Sequence, residues 1–462
     1  MKTSIKITIS AVLLSLSAVA NSSAQLHSAY FMPGSTQRYE LNPALTPTRG
    51  YFNIPALNFS VDAGTNYLQA DNIFFPNAEN NGLVTFMHNS VSADDFLKNM
   101  PDMNVIDMNV NERLFGLGNY TSKGFWSFNI NLRSETTLNV PKDFFKVLKT
   151  MSSGSYDISG LSVDHNDFIE VGGGYTFPIR DAFTVGFRVK ALLGLAHASV
   201  NIDKLNLTMN EDEYRAEMSG TLSANVQGYD FGRLQGEVTL DDMTAYVTDF
   251  GSNFGSGNLG SVGVAVDAGI DWQLLDRQIN ISASVTDLGY TVWTAANSFC
   301  ATVDNLAYAY KGYDFAAGKI DFEKPENITI NATAPKSSKN ALNANFNLGF
   351  EYNMLNDKLG LGLLYYGKKY DSYLSNKIMA AVSYRPARWF SMSVTESFIN
   401  SSLGVVGAAF NVHSSAVNLF VGLDYIAFKY GSMKSGAIPI PLNQNRFSLT
   451  FGLSVPLRTR SF

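Results

Sequence analysis

The sequence predicts an all-β protein, an outer-membrane β-barrel of about fourteen antiparallel strands with an N-terminal hatch segment and short loop helices. Three observations predict this class: an export signal, long segments of alternating hydrophobicity, and a regular succession of short and long connections. The composition agrees. Charged residues make up 16% and aromatic residues 13% of the 462 residues, whereas soluble proteins contain about 25% charged residues.

The first 24 residues have the features of a cleavable signal peptide. Lys2 and Lys6 give a positive start, residues 7–20 form an apolar stretch, and Ser22-Ser23-Ala24 supplies small residues before the cut. No later run reaches the roughly 18 apolar residues that a transmembrane helix requires. An exported chain without such a helix is periplasmic, secreted or an outer-membrane barrel, so the remaining patterns have to decide among the three.

Alternation with period two recurs along the chain. Apolar residues occupy every second position from 447 to 457, with Ser, Thr, Gly and Pro between them, and 343–352 and 262–272 repeat the pattern. Such segments bury one face and wet the other. A soluble sandwich also alternates, but its strands average about 5–6 residues. These segments run for about ten residues or more, the length that a tilted strand needs to cross a bilayer.

The connections fall into two kinds, as in outer-membrane barrels, whose periplasmic turns are tight and whose external loops are longer. Tight connections at 121–124, 179–182, 275–278, 356–358, 386–388 and 413–416 alternate with longer ones, chiefly 62–111, 139–165, 200–259 and 293–341. The sequence thus predicts strands at 51–61, 112–120, 125–138, 166–178, 182–199, 260–275, 278–292, 342–355, 358–370, 375–386, 389–398, 403–412, 416–428 and 445–456.

This even count places both termini on the periplasmic side, and it assigns the hairpin-like stretch 205–226 to an external loop. Short helices are predicted within the loops, at 92–100 and 142–150. Ser92 with Asp94 and Asp95 forms a favourable first helical turn. Residues 51–462 as a whole are predicted to be the barrel with its loops.

Residues 25–50 are not strand-like, because Pro33, Gly34 and Pro47 and the Asn42-Pro43-Ala44 triplet punctuate them. A barrel of fourteen strands is too wide for wall side chains alone to fill, since about eight strands already suffice for that. The segment is therefore predicted to be a hatch that enters the lumen. The alternative is a disordered periplasmic tail.

Alternation also predicts which charged residues face the lumen. Charges of both signs there can brace a plug or set solute selectivity, and bracing is favoured because mixed signs pair readily. Phe420 and Tyr366 face inward as well, which would suit an apolar guest. The predicted lumen-facing charged residues are Arg133, Glu170, Arg188, Lys190, Asp267, Asp271, Glu351, Arg385, Asp424 and Arg446.

Gly172, Gly173 and Gly174 stand in succession inside a predicted wall strand. Consecutive glycines weaken a strand and often mark a kink or bulge. A kink here would open a side exit from the lumen into the membrane. The alternative is close packing of the hatch against bare backbone.

Several other functions are disfavoured. One cysteine, Cys300, and five scattered histidines fit neither a disulfide framework nor a metal motif, so no metal or cofactor is predicted. The net charge of -6 excludes the basic footprint of a nucleic-acid-binding protein. His197 and His413 fall at opposite barrel ends, so they do not suggest a shared catalytic site. We expect a protein that is not an enzyme.

The N-terminal segment carries a short motif. Ser35, Thr36 and Arg38 precede Asn42-Pro43-Ala44, and together with the export signal and fourteen strands this resembles the long-chain fatty-acid transporter family of outer-membrane barrels. The resemblance implies a hatch containing the Asn-Pro-Ala motif and passage of hydrophobic compounds into the membrane through a kinked strand. The motif looks more specifically like a Bacteroidota branch of these barrels, some members of which serve the type IX secretion system.

Two functional hypotheses follow. The first is a barrel that binds or translocates hydrophobic small molecules, with outer-membrane lipid as its surroundings. The second is a non-catalytic scaffold whose large loops, about 200–259 and 293–341, dock surface or secretion-system proteins.

Overall fold

The computed structural model describes residues 27–68, 70–77, 82–210, 213–228, 231, 236–239, 261–311, 329–369, 374–399, 402–426, 429–431, 440–442 and 446–459. The predicted signal peptide lies outside these residues. Fourteen strands form the wall: β1 (Arg49–Thr65), β2 (Met103–Tyr120), β3 (Phe125–Pro141), β4 (Ser162–Arg180), β5 (Phe183–Met209), β6 (Ser261–Leu274), β7 (Ile279–Trp293), β8 (Asn345–Met354), β9 (Leu359–Lys369), β10 (Leu374–Ala387), β11 (Phe390–Ile399), β12 (Ser402–His413), β13 (Asn418–Ile426) and β14 (Arg446–Thr459).

Each wall strand pairs antiparallel with its neighbours in chain order, and β1 closes the barrel by pairing with both β14 and β2. The predicted fourteen-stranded antiparallel barrel is therefore confirmed. The bounds of the early strands differ from the prediction. β2 begins at Met103 rather than at 112, and β5 continues to Met209 rather than to 199. Both extensions lie at the end with the long loops, where no bilayer imposes an apolar face on the sequence.

The outer surface of the wall carries a belt of exposed apolar side chains. On β5, Phe187 and Val189 are 50% and 63% exposed, and Leu348 on β8 and Leu363 on β9 are exposed by about half. The inward positions between them are polar or charged and buried. An apolar exterior over a polar interior defines a membrane-spanning barrel of the outer-membrane type. Within the described residues, no helix has the length and apolar character to cross a bilayer.

The remaining elements lie in the N-terminal segment and the loops. The helices are His27–Ala29 and Ala295–Asn297, both 3-10, with α1 (Arg38–Leu41), α2 (Ala70–Ile73), α3 (Ala93–Leu97) and α4 (Lys142–Thr150). The loop strands are Phe74–Asn77, Gly82–Thr85, Gly154–Asp157, Glu213–Val226, Gly236–Thr239, Ser298–Lys311, Thr329–Thr333, Ser338–Ala341, Lys429–Gly431 and Ile440–Leu442. Ser92 caps α3 by accepting a hydrogen bond from the Asp95 amide at 3.0 Å.

Part of the long-loop side forms a sheet that rises from the wall. The far end of β5 pairs with Glu213–Val226, which pairs with Ser298–Lys311. Thr329–Thr333 and Gly236–Thr239 extend this sheet. The hairpin predicted around 205–226 thus belongs to the external loops and adds no strand to the wall.

The belt of exposed apolar side chains, which we call the lipid belt, can be tested by a substitution on β5. We expect Val189→Arg to lower the free energy of unfolding in the bilayer by about 2–4 kcal/mol, the cost of a cation on the lipid face near the midplane. The measurement is the folded fraction against urea concentration in lipid vesicles, read from the heat-modifiable gel shift. Asp203→Arg is the matched control, because Asp203 is an exposed residue on the part of β5 beyond the belt. Equal destabilisation by both changes would contradict this position for the membrane.

Candidate functional site

Residues 27–48 enter the lumen at the end with the short turns and close it; we call this segment the hatch. The Asn42-Pro43 pair is held by main-chain carbonyls of two wall strands and by a threonine side chain of a third. Asn42 Nδ2 donates to the carbonyls of Ile270 and Ala283 at 3.3 and 3.2 Å. Thr176 Oγ1 donates to the Pro43 carbonyl at 2.6 Å. The motif therefore docks the hatch on wall backbone.

Glycines in the wall allow this close approach. An added Cβ at Gly186 would overlap the Pro43 carbonyl, and one at Gly269 would overlap the Asn42 side chain. Only a residue without a Cβ lets two backbones meet so closely.

The hatch also buries apolar side chains against inward positions of the wall. Tyr30, Phe31, Leu41 and Leu45 pack with Leu364, Met379 and Ala381. A second cluster joins hatch residues Ala29 and Met32 to Ala409 and Phe420. The prediction that Phe420 would suit an apolar guest is therefore wrong, because the hatch already covers this ring.

Above the hatch, predicted lumen-facing residues of β3 to β6 meet in one buried ion-pair cluster. Arg133 lies 2.8 Å from Glu170, and Lys190 lies 3.0 Å from Asp267. Arg188 reaches the same Asp267 carboxylate at 3.0 Å. The structure thus brings Arg133, Glu170, Arg188, Lys190 and Asp267 together.

Carboxylates outside the predicted set also take part in this cluster. Asp287 of β7 lies 2.7 Å from Arg133 and 2.6 Å from Lys190. Glu40 of the hatch lies 2.6 Å from Arg113 and 3.3 Å from Arg188. The cluster therefore joins the hatch to the wall by charge.

A second cluster lies on the other side of the lumen. Arg446 contacts Asp62 and lies 2.8 Å from Asp107. Lys377 lies 3.4 Å from Asp424 and 3.4 Å from Nδ1 of His27. This cluster contains the predicted residues Arg446 and Asp424, and it also reaches the hatch.

The other predicted charged residues lie beside the hatch, near the short turns. Arg385 contacts Glu351 and donates to the Phe31 carbonyl at 2.8 Å. Asp271 accepts a hydrogen bond from Gln273 at 3.0 Å and is buried. The structure therefore distributes the ten predicted residues over three places, each of which faces the hatch or the space above it.

The protonation states of titratable side chains in the hatch depend on the charged residues around them. Burial alone would raise the pKa of Glu40, but Arg113, Arg188 and Lys190 outweigh it and hold the pKa below its ordinary value. Burial lowers the pKa of His27 well below its ordinary value, and the neighbouring Lys377 lowers it further. Glu40 is therefore an anion and His27 a neutral imidazole at pH 7.

Between the two clusters lies a cavity above the hatch, lined by residues of the hatch and of most wall strands. Its lining is mainly polar, with cations such as Lys368 and Arg446, anions such as Asp62 and Glu170, and the Tyr366 ring. Tyr366 donates its hydroxyl proton to Asn345 at 2.7 Å. Among the described residues, no group of three or more His, Cys, Asp or Glu side chains is arranged to hold a metal ion.

The glycine triplet of β4 does not kink the wall. Gly172, Gly173 and Gly174 keep unbroken register with β3 and with β5. An added Cβ on Gly174 would come within 2.7 Å of the Tyr39 hydroxyl in the hatch. The prediction of a wall kink at these glycines is therefore wrong. Gly174 instead leaves room for the hatch, as the alternative interpretation of these glycines predicts.

The wall is interrupted elsewhere, in β1. Asn53 pairs with Ser454 of β14 and Asn58 with Gly452, so β1 spans five residues where β14 spans two. Register with β2 is lost over the same stretch. Residues 54–57 form this bulge; Pro55, Ala56 and Leu57 are exposed, and Ala56 has a φ of 60°. A left-handed alanine is an uncommon, strained backbone state.

Polar side chains connect the two ends of the bulge, Asn53 and Asn58, which we call its neck. Asn53 Nδ2 donates to Asn58 Oδ1 at 2.8 Å, and Asn58 Nδ2 donates to the carbonyls of Ile54 and Leu453 at 2.9 Å each. Arg113 donates to Asn53 Oδ1 at 3.4 Å. Since Arg113 also pairs with Glu40, one arginine links the hatch to the break in the wall.

Some of these residues escaped the sequence reasoning. Glu135 lies two positions from Arg133 on the same face, so alternation could have found it. Asp287 could not be found in this way, because β6 and β7 shift register beside it and its φ is 60°. Glu40 lies outside any strand, where alternation has no meaning.

These features define a membrane-spanning barrel with a luminal hatch, a polar lumen and a bulged first wall strand. The chain belongs to the Family of unknown function (DUF5723), whose model matches residues 43–424. No curated protein matches the chain. The predicted resemblance to the fatty-acid transporter barrels is confirmed in its architecture by the fourteen strands. The Bacteroidota branch stays a prediction.

The chain is similar to several solved structures. One is the Pseudomonas putida toluene transporter TodX, at 7% identity and a TM-score of 0.41, covering 92% of this chain and 95% of that one. Another is a Pseudomonas aeruginosa FadL homologue, at 8% identity and 0.41, with the same coverage. A third is the CymD monoaromatic hydrocarbon channel, at 8% and 0.34, covering 93% and 95%.

The Glu40 pairs generate a prediction about the hatch. Glu40→Gln removes one partner of two buried ion pairs, and we expect the free energy that holds the hatch in the lumen to fall by about 3 kcal/mol. The measurement is the rate of proteolysis within 27–48 in the folded barrel. Glu217→Gln is the control, because Glu217 is a half-exposed ion-pair partner on the loop strand Glu213–Val226, away from the hatch. Unchanged protection in Glu40→Gln would show that these pairs do not hold the hatch.

The same carboxylate predicts the direction of a pH dependence. Because its pKa is lowered on folding, Glu40 stabilises the docked hatch above the pKa of a free glutamate, about 4.3. This contribution is lost as the pH falls through the lower folded value. Protection of the hatch in the wild type should therefore decrease in acid. The decrease should be smaller in Glu40→Gln, and identical profiles would refute this role.

Proposed function

We propose that this barrel passes hydrophobic small molecules that carry a polar end from the external side into the outer membrane, and that they leave the lumen through the bulge in β1. The observation that carries the proposal is the break at residues 54–57, where a membrane-facing stretch of wall has lost its pairing with both neighbours. The protein is not proposed to be an enzyme.

A straight path along the barrel axis is closed at the hatch. The hatch is bonded to β4, β6 and β7 through Asn42 and Pro43, and to β10 through Phe31. Its apolar side chains are buried against β9, β10 and β13. Passage towards the periplasm would require the whole segment to leave, whereas a side exit requires only local movement.

The bulge has the properties of a side exit. Leu57 is 41% exposed on the outside, and Asn58 lines the large cavity on the inside. An apolar molecule that leaves here enters hydrocarbon without crossing water, which the hydrophobic effect favours. The other register shifts among the described wall pairings each involve a single extra residue, so they offer no comparable opening.

The lining of the cavity determines which kind of transported molecule can bind there. A purely apolar molecule would gain little there, because it would cover charged and amide groups without giving them hydrogen bonds. A molecule with one polar end can satisfy those groups while its apolar part points to the bulge. Phe59, next to the bulge and in the cavity lining, stacks on Phe451 at 5.8 Å between ring centroids.

The hatch controls this exit through Arg113. Its contacts with Glu40 and Asn53 connect the hatch helix to the neck of the bulge. A displaced hatch would free Arg113 and weaken the neck, so entry of a passenger above the hatch and opening of the wall would be coupled.

Deleting Pro55–Leu57 tests the exit. The deletion removes the three extra residues and lets β1 pair continuously with β14. We expect uptake of a fluorescent long-chain fatty acid by proteoliposomes to fall at least tenfold while the barrel stays folded. Leu57→Ala, which keeps the bulge, is the control and should keep most of the uptake. Equal uptake by deletion and wild type would refute the side exit.

A direct test of binding uses the native protein. Gentle extraction from the outer membrane followed by native mass spectrometry should reveal a retained amphiphile of a few hundred daltons. If labelled fatty acids and other apolar probes neither bind nor enter, the proposed function itself fails.

The scaffold hypothesis remains a second candidate, because the loop sheet built on β5 rises from the wall beyond the lipid belt. It predicts that a partner protein co-purifies with the barrel and is lost when Glu213–Val226 and Ser298–Thr333 are replaced by short Gly/Ser connections. Recovery of the same complex after this replacement would contradict it.

A further inference from the structure

Four neighbouring tight turns form one edge of the barrel, at the end where the hatch enters; we call this edge the turn rim. The turns connect β4 with β5, β6 with β7, β8 with β9 and β10 with β11. Short turns of outer-membrane barrels face the periplasm, so the turn rim lies beside the inner leaflet of the membrane. Main-chain hydrogen bonds of 2.7–2.8 Å order the turns side by side, with the donor named first in the pairs Gln273–Ala182, Asn353–Gln278 and Arg385–Lys358.

The turn rim is continuous with the lipid belt. Each strand that leads into one of these turns carries an aromatic ring on its outer face, and each turn adds an apolar side chain that is more exposed. Aromatic rings in such positions mark the level of the lipid headgroups. The rings, which are 40–45% exposed, are Tyr175, Trp272, Tyr352 and Tyr384, and the turn side chains, which are 56–67% exposed, are Ile179, Leu275, Leu355 and Trp389.

The same turns also present charges of both signs. Three of the four turns place an exposed cation and an exposed aspartate next to each other in the chain, and the fourth presents the exposed cation Arg388 alone. The three neighbouring pairs are Arg180 with Asp181, Asp276 with Arg277, and Asp357 with Lys358. The ion pairs among the described residues nearby include Arg385 with Glu351, but none of them involves these three aspartates. Their carboxylates therefore face solvent or headgroups.

This repeated pairing of charges identifies the chemistry of the headgroup. An arginine or lysine binds a phosphate through charge-assisted hydrogen bonds, and a carboxylate accepts such bonds from a primary ammonium. A phosphate without an ammonium would leave the aspartates unpaired and close to a like charge. A choline group carries a positive charge but has no N–H to donate. A headgroup with a phosphate and a primary ammonium satisfies both members of each pair.

We propose that the turn rim is a binding site for phospholipids whose headgroup joins a phosphate to a primary ammonium, as in phosphatidylethanolamine. The cation of each pair holds the phosphate, and the neighbouring aspartate accepts hydrogen bonds from the ammonium. The acyl chains lie against the lipid belt, beside the exposed apolar side chains of the turns. The site is on the outer surface of the barrel, so it does not rest on the proposed passage of molecules through the lumen.

Native mass spectrometry of the full-length barrel tests this site. The probes are phosphatidylethanolamine, phosphatidylcholine and phosphatidylglycerol with identical acyl chains, added in equal amounts to the protein in detergent. We expect phosphatidylethanolamine to be retained in about fivefold excess over either of the others, the upper range for an exposed ion pair. The triple variant Asp181→Asn, Asp276→Asn and Asp357→Asn should lose the excess over phosphatidylcholine, because an amide forms no ion pair with an ammonium.

The matched control removes the same charge from exposed residues at the opposite end of the barrel. It is the triple variant Asp94→Asn, Asp203→Asn and Asp304→Asn, which should keep the preference of the wild type. Equal retention of the three lipids by the wild type, or a preference for one of the other two, would overturn the proposal. An unchanged preference in the turn-rim variant would overturn it as well.

Folding and transport are measured on the same variants. The heat-modifiable gel shift identifies a variant that fails to fold, and Asp357→Asn alone then replaces the triple variant. We expect uptake of the fluorescent fatty acid to be unchanged when the lipid preference is lost. Failure of the lipid site and failure of the proposed function are therefore distinguishable, because each has its own measurement.

Discussion

The two ion pairs of Glu40 are the contacts on which the arrangement of the lumen depends. A wall of fourteen strands encloses more space than its own side chains can fill, and the hatch fills the periplasmic part of it. Apolar packing and backbone hydrogen bonds hold most of the hatch. Glu40 adds ion pairs with Arg113 and Arg188 at the edge of the large cavity, where Arg188 also donates to the Tyr39 carbonyl at 2.8 Å. Without that carboxylate, both buried cations would lose their anionic partner on the hatch.

Ion pairs of this kind rarely add much net stability, because desolvation offsets most of the Coulomb attraction. Their contribution here is positional. Arg133, Lys190 and Asp287 fix the relative height of three wall strands, and Arg113 reaches from the hatch to the neck of the bulge. Removing one member leaves an unpaired charge in a poorly solvated space. The lumen thus keeps one arrangement, because another arrangement would leave a buried charge without a partner.

Much of this could be predicted from the sequence. A period of two fixes which face of a strand meets lipid, so the strand count and the inward position of residues such as Glu170 and Arg188 follow directly. The partners of these residues do not follow, because pairing depends on register, and β7 shifts register beside Asp287. The role of the three consecutive glycines could not be predicted for a related reason. Both a kink and a close contact favour a missing Cβ, and only the packing of Tyr39 decides for Gly174.

The break in β1 gave no such signal, because Pro55 in a membrane strand is compatible with an edge, a bulge or a turn. The bulge can be recognised only from the strand pairing. Between the same matched residues, β14 and β2 contain fewer residues than β1 does.

The position of the bulge also bears on how the barrel is assembled. β1 and β14 are the first and last wall strands in the chain, so the seam between them joins residues nearly 400 positions apart and has the largest loop-closure entropy to overcome. This same seam contains the interrupted ladder, with three residues of β1 left over between Asn53 and Asn58. The hatch immediately precedes β1, so a barrel that opens at its seam can receive the hatch before it closes. The seam that joins the two ends of the wall therefore also contains the longest interruption among its described strand pairings.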